Sequence, residues 1–250
     1  MNYLEFFSSE LFVFILIGFC AQIVDGALGM AFGVLTTTSL LTMGVPPAVA
    51  SAMTHITEIF TSAASGASHA YQRNIDWKLV ARLAPAGMIG GAIGAYALSN
   101  IDGDTIAPFI SIYLIVIGTI IFIKSFKKYI GNKVRDWTIP FVGTFGGIMD
   151  AIGGGGWGPV VTSTLVSRGL DAKKVIGSTN LTEFLVTTVI SATFILTLGW
   201  SQLGSALGLI LGGVVAAPFG ALLVKRLPVK ILMRAVAVII IATALYRLLG

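Results

Sequence analysis

The sequence predicts an all-α integral membrane protein built from two inverted-topology repeats, and three observations carry that expectation. Apolar residues make up 56% of the 250-residue chain and charged ones only 11%, with a mean hydropathy of +0.92. A soluble domain carries about 25% charged residues, and one this poor in charge has too little polar surface to cover itself. Second, the polar and small residues recur at an offset of 125 positions. Gly18, Asp25, Gly29 and Gly33 fall on Gly143, Asp150, Gly154 and Gly158, and Thr37, Gly44, Thr54, Thr57 and Glu58 fall on Thr162, Gly169, Thr179, Thr182 and Glu183. Third, the basic residues sit in short loops between apolar runs, the pattern that orients membrane proteins.

The expected halves are residues 1–125 and 138–250, joined by a cytoplasmic linker at 126–137 within the polar stretch SFKKYIGNKVRDW. Each half opens with a short apolar run (about 11–24, then 138–149), a Gly-rich break and a second run (about 28–43, then 159–168). A hydroxyl-rich helix follows (46–70, then 171–198), then a Gly/Ala-rich helix (78–99, then 201–224) and a branched-aliphatic helix (105–124, then 229–248). Within the fourth segment Gly94-Ala95 meets Gly220-Ala221, at an offset of 126. Crossing the hydrocarbon takes about 20 helical residues. The last three segments of each half are long enough; the first two are not, and read as a broken or re-entrant hairpin. That makes eight to ten hydrophobic segments.

Orientation follows from the loops. Arg73, Lys78 and Arg82 follow the third segment of the first half. In the second half Arg168, Lys173 and Lys174 precede the third segment, and Lys225, Arg226, Lys230 and Arg234 surround the start of the last. With the basic residues of the linker, all but Arg247 fall on one side, which the positive-inside rule makes cytoplasmic, with both termini outside. Two like halves inserted in opposite senses recur in secondary transporters, whose substrate site lies near the midplane at the repeat interface. The N-terminus, MNYLEFFSSE, has two acids and no base, so the first run is expected to stay in the mature protein. Cys20 is the single cysteine, which excludes an internal disulfide and a thiolate metal site. Basic residues are neither clustered nor interleaved with aromatics, so a nucleic-acid partner is not expected despite a pI near 9.4.

Of the 11 acids, seven lie in loops or near the ends; the other four form the offset-related pairs Asp25/Asp150 and Glu58/Glu183 within the membrane. A carboxylate at the bilayer centre costs at least about 2.5–3.5 kcal/mol, so it needs a cavity, a partner or a proton. Each Asp is either an N-cap for the half-helix that follows it or part of an ion-coupling set with Glu58 and Glu183. Between them the tips read DGALGMAFG and DAIGGGGWGP. Glycine this dense lets backbone N–H groups face a ligand, and the half-helix dipole points the same way, giving a neutral anion cradle. The expected substrate-binding residues are Gly29, Gly33, Thr37, Gly154, Gly155, Gly156, Gly158 and Thr162 of the tips with Thr54, His55, Thr179 and Asn180 beside them.

A polar stripe of Thr54, His55, Glu58, Thr61, Ser62, Ser65, Ser68 and His69 runs at steps of three and four along the third segment. Its second copy offers Ser178, Thr179, Asn180, Thr182, Glu183, Thr187 and Ser191, with Asn180 in the place of His55. No Lys or Arg falls in the expected core, so a bound anion meets only uncharged donors and a protonated His55. Four ionised carboxylates nearby would repel it. Either they carry protons or they hold a cation, and both options couple anion movement to an ion.

These residues also carry a resemblance. The doubled motif GFCAQIVDGALGMAFG with THITE, and GTFGGIMDAIGGGGWG with TNLTE, resembles the TauE/SafE family of sulfite and organosulfonate exporters over nearly the whole chain. The resemblance implies a permease of the cell (inner) membrane for sulfite or an organosulfonate such as sulfoacetate, with no cofactor and no catalytic or metal-ligating residues. Its partners are then a small anion and membrane lipids, with room for a homodimer. Family members run in both directions; a negative-inside potential favours export of an anion. Three other readings stay open at this stage: a cation or metal permease using the four acids, an intramembrane aspartyl protease using Asp25 and Asp150, and a lipid carrier or assembly factor.

Overall fold

The computed structural model describes residues 3–28, 30–126, 137–200, 206–216 and 229–249, and among these every regular element is helical. α1 (Tyr3–Leu28) meets a break at 30–31 and continues as α2 (Phe32–Thr42). Gly44, in the left-handed region at φ +82°, turns the chain, and Pro47 opens α3 (Pro47–Tyr71) at a position where its missing N–H is harmless. Asp76 caps α4 (Trp77–Asn100) by accepting from the Lys78 and Leu79 amides, and Asp102 caps α5 (Gly103–Lys124) through the Thr105 amide.

The second half repeats the sequence of elements. α6 (Thr138–Gly153) stops at Gly154, which is left-handed at φ +64°. A single π-helical turn, Gly158–Thr162, runs into α7 (Ser163–Ser167). Gly169 turns at φ +86°, matching Gly44, and Asp171 caps α8 (Ala172–Leu198). α9 (Ala206–Ala216) and α10 (Val229–Leu249) complete the described chain. Most of the linker, Lys225 and Arg226, and the Gly220-Ala221 match lie outside the described residues.

One expectation needs correction. The first run, expected as 11–24, is part of a 26-residue helix, because residues 3–10 hold no Pro or Gly to stop it; the apolar stretch within it is Leu11–Asp25. Among the described residues three helices are both long and apolar enough to cross a membrane: α4, α5 and Lys173–Leu198 of α8. α3 has the length, 25 residues, yet its Ser, Thr, His and Glu side chains lower its hydropathy. Those side chains are turned inward: Ser51, Thr54, His55, Thr57, Glu58, Thr61 and Ser62 are all buried.

Glycine sets the packing. α4 lies along α6 and α8, α3 along α8, and α5 along α10. A Cβ added at Gly94 would meet Ile148 O of α6 at 2.7 Å, and one at Gly147 would meet the Gly91 amide at 2.8 Å. α9 meets α1 in the same way, Gly208 against Phe14 Cβ at 2.7 Å and Gly212 against the backbone of Ile15 and Phe19. Lipid tails supply no hydrophobic drive between helices, so backbone-to-backbone approach at small residues is what holds them. Outward faces are apolar, as at Ile89, Ile93, Phe109, Ile112 and Val116. The α5–α10 and α3–α8 pairs run antiparallel: Ser125 just past α5 accepts from Arg234 early in α10 at 3.2 Å, and Ser65 late in α3 donates to Asn180 early in α8 at 3.0 Å.

Candidate functional site: a polar cleft between two glycine tips

Each hairpin tip is closed by its own aspartate. Asp25 Oδ1 accepts from the amides of Ala31 (2.7 Å) and Phe32 (3.0 Å), six and seven residues on. Asp150 Oδ1 accepts from Gly156 (2.6 Å) and Trp157 (2.9 Å) at the same spacings. The cap is what starts each half-helix, since the first amides of a helix have no partner within it. Other residues 125 apart make matching bonds. Thr37 pairs with Thr54 and Thr162 with Thr179, each at 2.9 Å, and both His55 and Asn180 bond the carbonyl four residues back at 2.8 Å.

The tips touch. Gly155, at φ +147°, lies against Gly33, where an added Cβ would meet Gly155 Cα and Glu58 Oε1, both at 2.7 Å. Around this contact opens a narrow cleft of about 390 Å3, its mouth included. Its walls are the two tips, Thr61, Ser62 and Ser65 of α3, and Asn180 and Glu183 of α8. Asp25, Glu58, Asp150 and Glu183 all face it, and among the described residues no Lys or Arg lines it. Because the aspartates take two amides at each tip, the amides left without an acceptor in their own helix are Gly33 and Val34 at one tip and Gly158 at the other; Pro159 has none to offer.

Behind the cleft wall His55, fully buried, joins the two halves. Its Nδ1 lies 2.8 Å from Ser51 O and 3.2 Å from Ser51 Oγ. Ser51 Oγ spends its only hydrogen on Ala151 O at 2.6 Å, so both partners of Nδ1 accept and Nδ1 carries the proton. Nε2 then faces Asp150 Oδ2 at 3.4 Å and Glu58 Oε2 at 4.0 Å. All three atoms are buried without a hydrogen-bond partner among the described residues. The Phe194 ring lies tilted beside the imidazole, centroid to centroid at 6.3 Å.

Of the residues singled out in the sequence, the cleft is lined by Gly33, Gly155, Gly156, Gly158 and Asn180, by Thr61, Ser62 and Ser65 of the polar stripe, and by the four acids. Thr37, Thr54, His55, Gly154, Thr162 and Thr179 stand behind its surface. The Thr37 hydroxyl goes to Gly154 O and to Thr54, which ties tip to tip. Gly29 lies outside the described residues. Sequence reasoning missed Ser51, Tyr113 and Trp157. Ser51 was findable as the residue one helical turn before His55. Tyr113 of α5 packs its buried hydroxyl on Gly156, with no sequence signal beyond an aromatic in an apolar run. Trp157 fills the space beside Gly87 and Gly146 and donates to Thr179 O at 3.1 Å.

A multi-pass helical protein with a polar cleft buried among its helices, acids within it and glycine-built tips meeting in it, belongs to the class of membrane transporters. The chain is a member of the Sulfite exporter TauE/SafE family, whose model matches residues 14–247. It is 41% identical over 227 residues to the probable membrane transporter protein YtnM of Bacillus subtilis (strain 168), covering 87% of this chain and 75% of that one. A probable membrane transporter protein of Haemophilus influenzae is 24% identical over 257 residues, covering 92% of this chain and 95% of the relative. No solved structure matches the chain.

Proposed function

We propose that this transporter carries a small sulfur-containing anion, sulfite or an organosulfonate, outward across the plasma membrane in a step coupled to protons or cations. The observation that carries the reading is the cleft's donor set. The Gly33, Val34 and Gly158 amides, the Thr61 hydroxyl and the second hydrogen of the Asn180 amide are uncharged donors around one small space. The family's name supplies the sulfur chemistry. The four carboxylates supply the coupling: an anion enters only where their charge is offset by protons or a cation. Two inverted repeats form the frame in this reading, supported by the matching bonds 125 residues apart and by the antiparallel α3–α8 and α5–α10 pairs. The basic loops at Arg73 and Lys174 meet, with Lys174 donating to Arg73 O at 2.7 Å, which supports placing them on one face; in this reading that face is the cytoplasmic one with both termini outside.

The test is uptake of radiolabelled sulfite, sulfoacetate and taurine into liposomes holding the purified protein, with and without a pH gradient. Gradient-dependent flux of at least one is expected; flux of none overturns the substrate assignment. The presence of four carboxylates favours a cation permease as the second reading. Thermal stabilisation by divalent cations and not by sulfite would decide for it.

A further inference from the structure

We propose that a coupling proton is held between His55 Nε2 and Asp150 Oδ2, with Glu58 as its exit to the cleft, and that the second half, with Asn180 in the place of His55, has no counterpart of this site. This deepens the transport reading and rests on it only for the consequence of proton release.

The argument is a count of hydrogens. Nδ1 of His55 is committed as a donor, because Ser51 O can only accept and Ser51 Oγ has already given its hydrogen to Ala151 O. A neutral ring with that tautomer turns a lone pair from Nε2 onto Asp150 Oδ2 at 3.4 Å and Glu58 Oε2 at 4.0 Å. Ionised carboxylates are acceptors only. Three buried acceptors facing one another repel unless a hydrogen lies between them. One proton resolves the cluster, on Nε2 or on a carboxyl oxygen, and bonds Nε2 to Oδ2. Asp150 suits the task because its two oxygens are divided: Oδ1 is held by the Gly156 and Trp157 amides, which leaves Oδ2 for the histidine. Glu58 and Asp150 line the cleft while His55 does not, so the proton reaches water through the carboxylates.

Among the described residues the other titratable groups around the cluster are Tyr113 of α5, packed on the same tip, and Glu183 of α8 and Asp25 of α1 across the cleft. None is a cation able to replace the proton. In the second half Asn180 uses the same anchor, donating to Ile176 O, but its Oδ1 accepts from Ser65, so it offers no lone pair like that of His55 Nε2. The consequence for transport is mechanical. Loss of the proton sets lone pairs against each other between α3 and the tip of the second half, and the tip parts from α3.

The test reads the proton directly. The chain has two histidines, so a His69→Asn background labelled with nitrogen-15 histidine in lipid nanodiscs reports His55 alone. Nδ1 should stay protonated at every pH measured, while the Nε2 signal should differ between the samples with and without the shared proton. In Asp150→Asn the side-chain amide donates to Nε2 permanently, and the titration should vanish. A His55 signal that does not change with pH, or one that titrates equally in Asp150→Asn, overturns the proposal. Should that variant fail to fold, Glu58→Gln serves: the midpoint should move because one of two facing carboxylates is gone, and an unmoved midpoint overturns the proposal. Sulfonate flux measured alongside separates the two readings. Titration with no flux of sulfite or of any sulfonate sinks the sulfur-anion reading and leaves the proton site; pH-driven flux with a silent His55 sinks the proton site alone.

Discussion

Replacing Gly33 with Ala tests whether the two glycine tips really meet. The added methyl would stand 2.7 Å from Gly155 Cα, 2.7 Å from Glu58 Oε1 and 3.0 Å from Gly154 O. Ordinary van der Waals contact begins near 3.4 Å, so roughly 0.7 Å must be found at two of these atoms. Glu58 is the end of a flexible side chain and can swing aside; Gly155 Cα is backbone, held by the capped turn of its own tip. Overpacking of this kind costs about 1–3 kcal/mol. Against it stands the helix preference of Ala over Gly, at most about 1 kcal/mol, so the net sign is destabilising. At roughly 2–4 °C per kcal/mol for a chain of this size, the Tm of purified protein should fall by several degrees. Gly103→Ala is the control, since its methyl meets only Pro47 Cδ, at 3.4 Å. A Gly33→Ala protein that melts with the wild type and the control, and transports at the wild-type rate, would refute the contact between the tips.

Neutralising either buried glutamate, as Glu58→Gln or Glu183→Gln, should abolish concentrative transport while insertion and yield persist; wild-type flux in both would remove them from the coupling step. Asp76→Ala deletes the acceptor for the Lys78 and Leu79 amides at the start of α4 and should cost about 1 kcal/mol, read as a drop of a few degrees in Tm with flux retained. In a Cys20→Ser background, Asn132→Cys in the linker should react with a membrane-impermeant maleimide only after the cytoplasmic face is opened. Labelling of intact cells would reverse the orientation drawn from the basic loops.

The parts of this molecule that were legible in the sequence are those set by backbone chemistry. Consecutive glycines 153–156 cannot continue a helix, Pro47 opens one, and Asp25 and Asp150 precede half-helices whose free amides need an acceptor; the structure gives each aspartate that capping bond. What hydropathy cannot register is a helix continuing past its apolar stretch, as α1 does through Glu5 and Glu10. Nor does residue type say where a hydroxyl points. Thr37 and Thr54 read as open donors and instead bond each other, while Thr61 on the same stripe faces the cleft. Tyr113 was hidden for a third reason. Its role comes from the approach of α5 to the second tip, a contact between segments far apart in the chain.

The glycine contacts also decide which pieces of the molecule travel together. The fourth helix of each half is seated on the first helix of the other, α4 on α6 and α9 on α1, with backbone against backbone. Sequence halves are therefore not packing halves: each of these seams draws on both. A chain cut in the linker would stay assembled through these crossed seams, and rocking during transport would divide the protein along lines that the order of its residues does not mark.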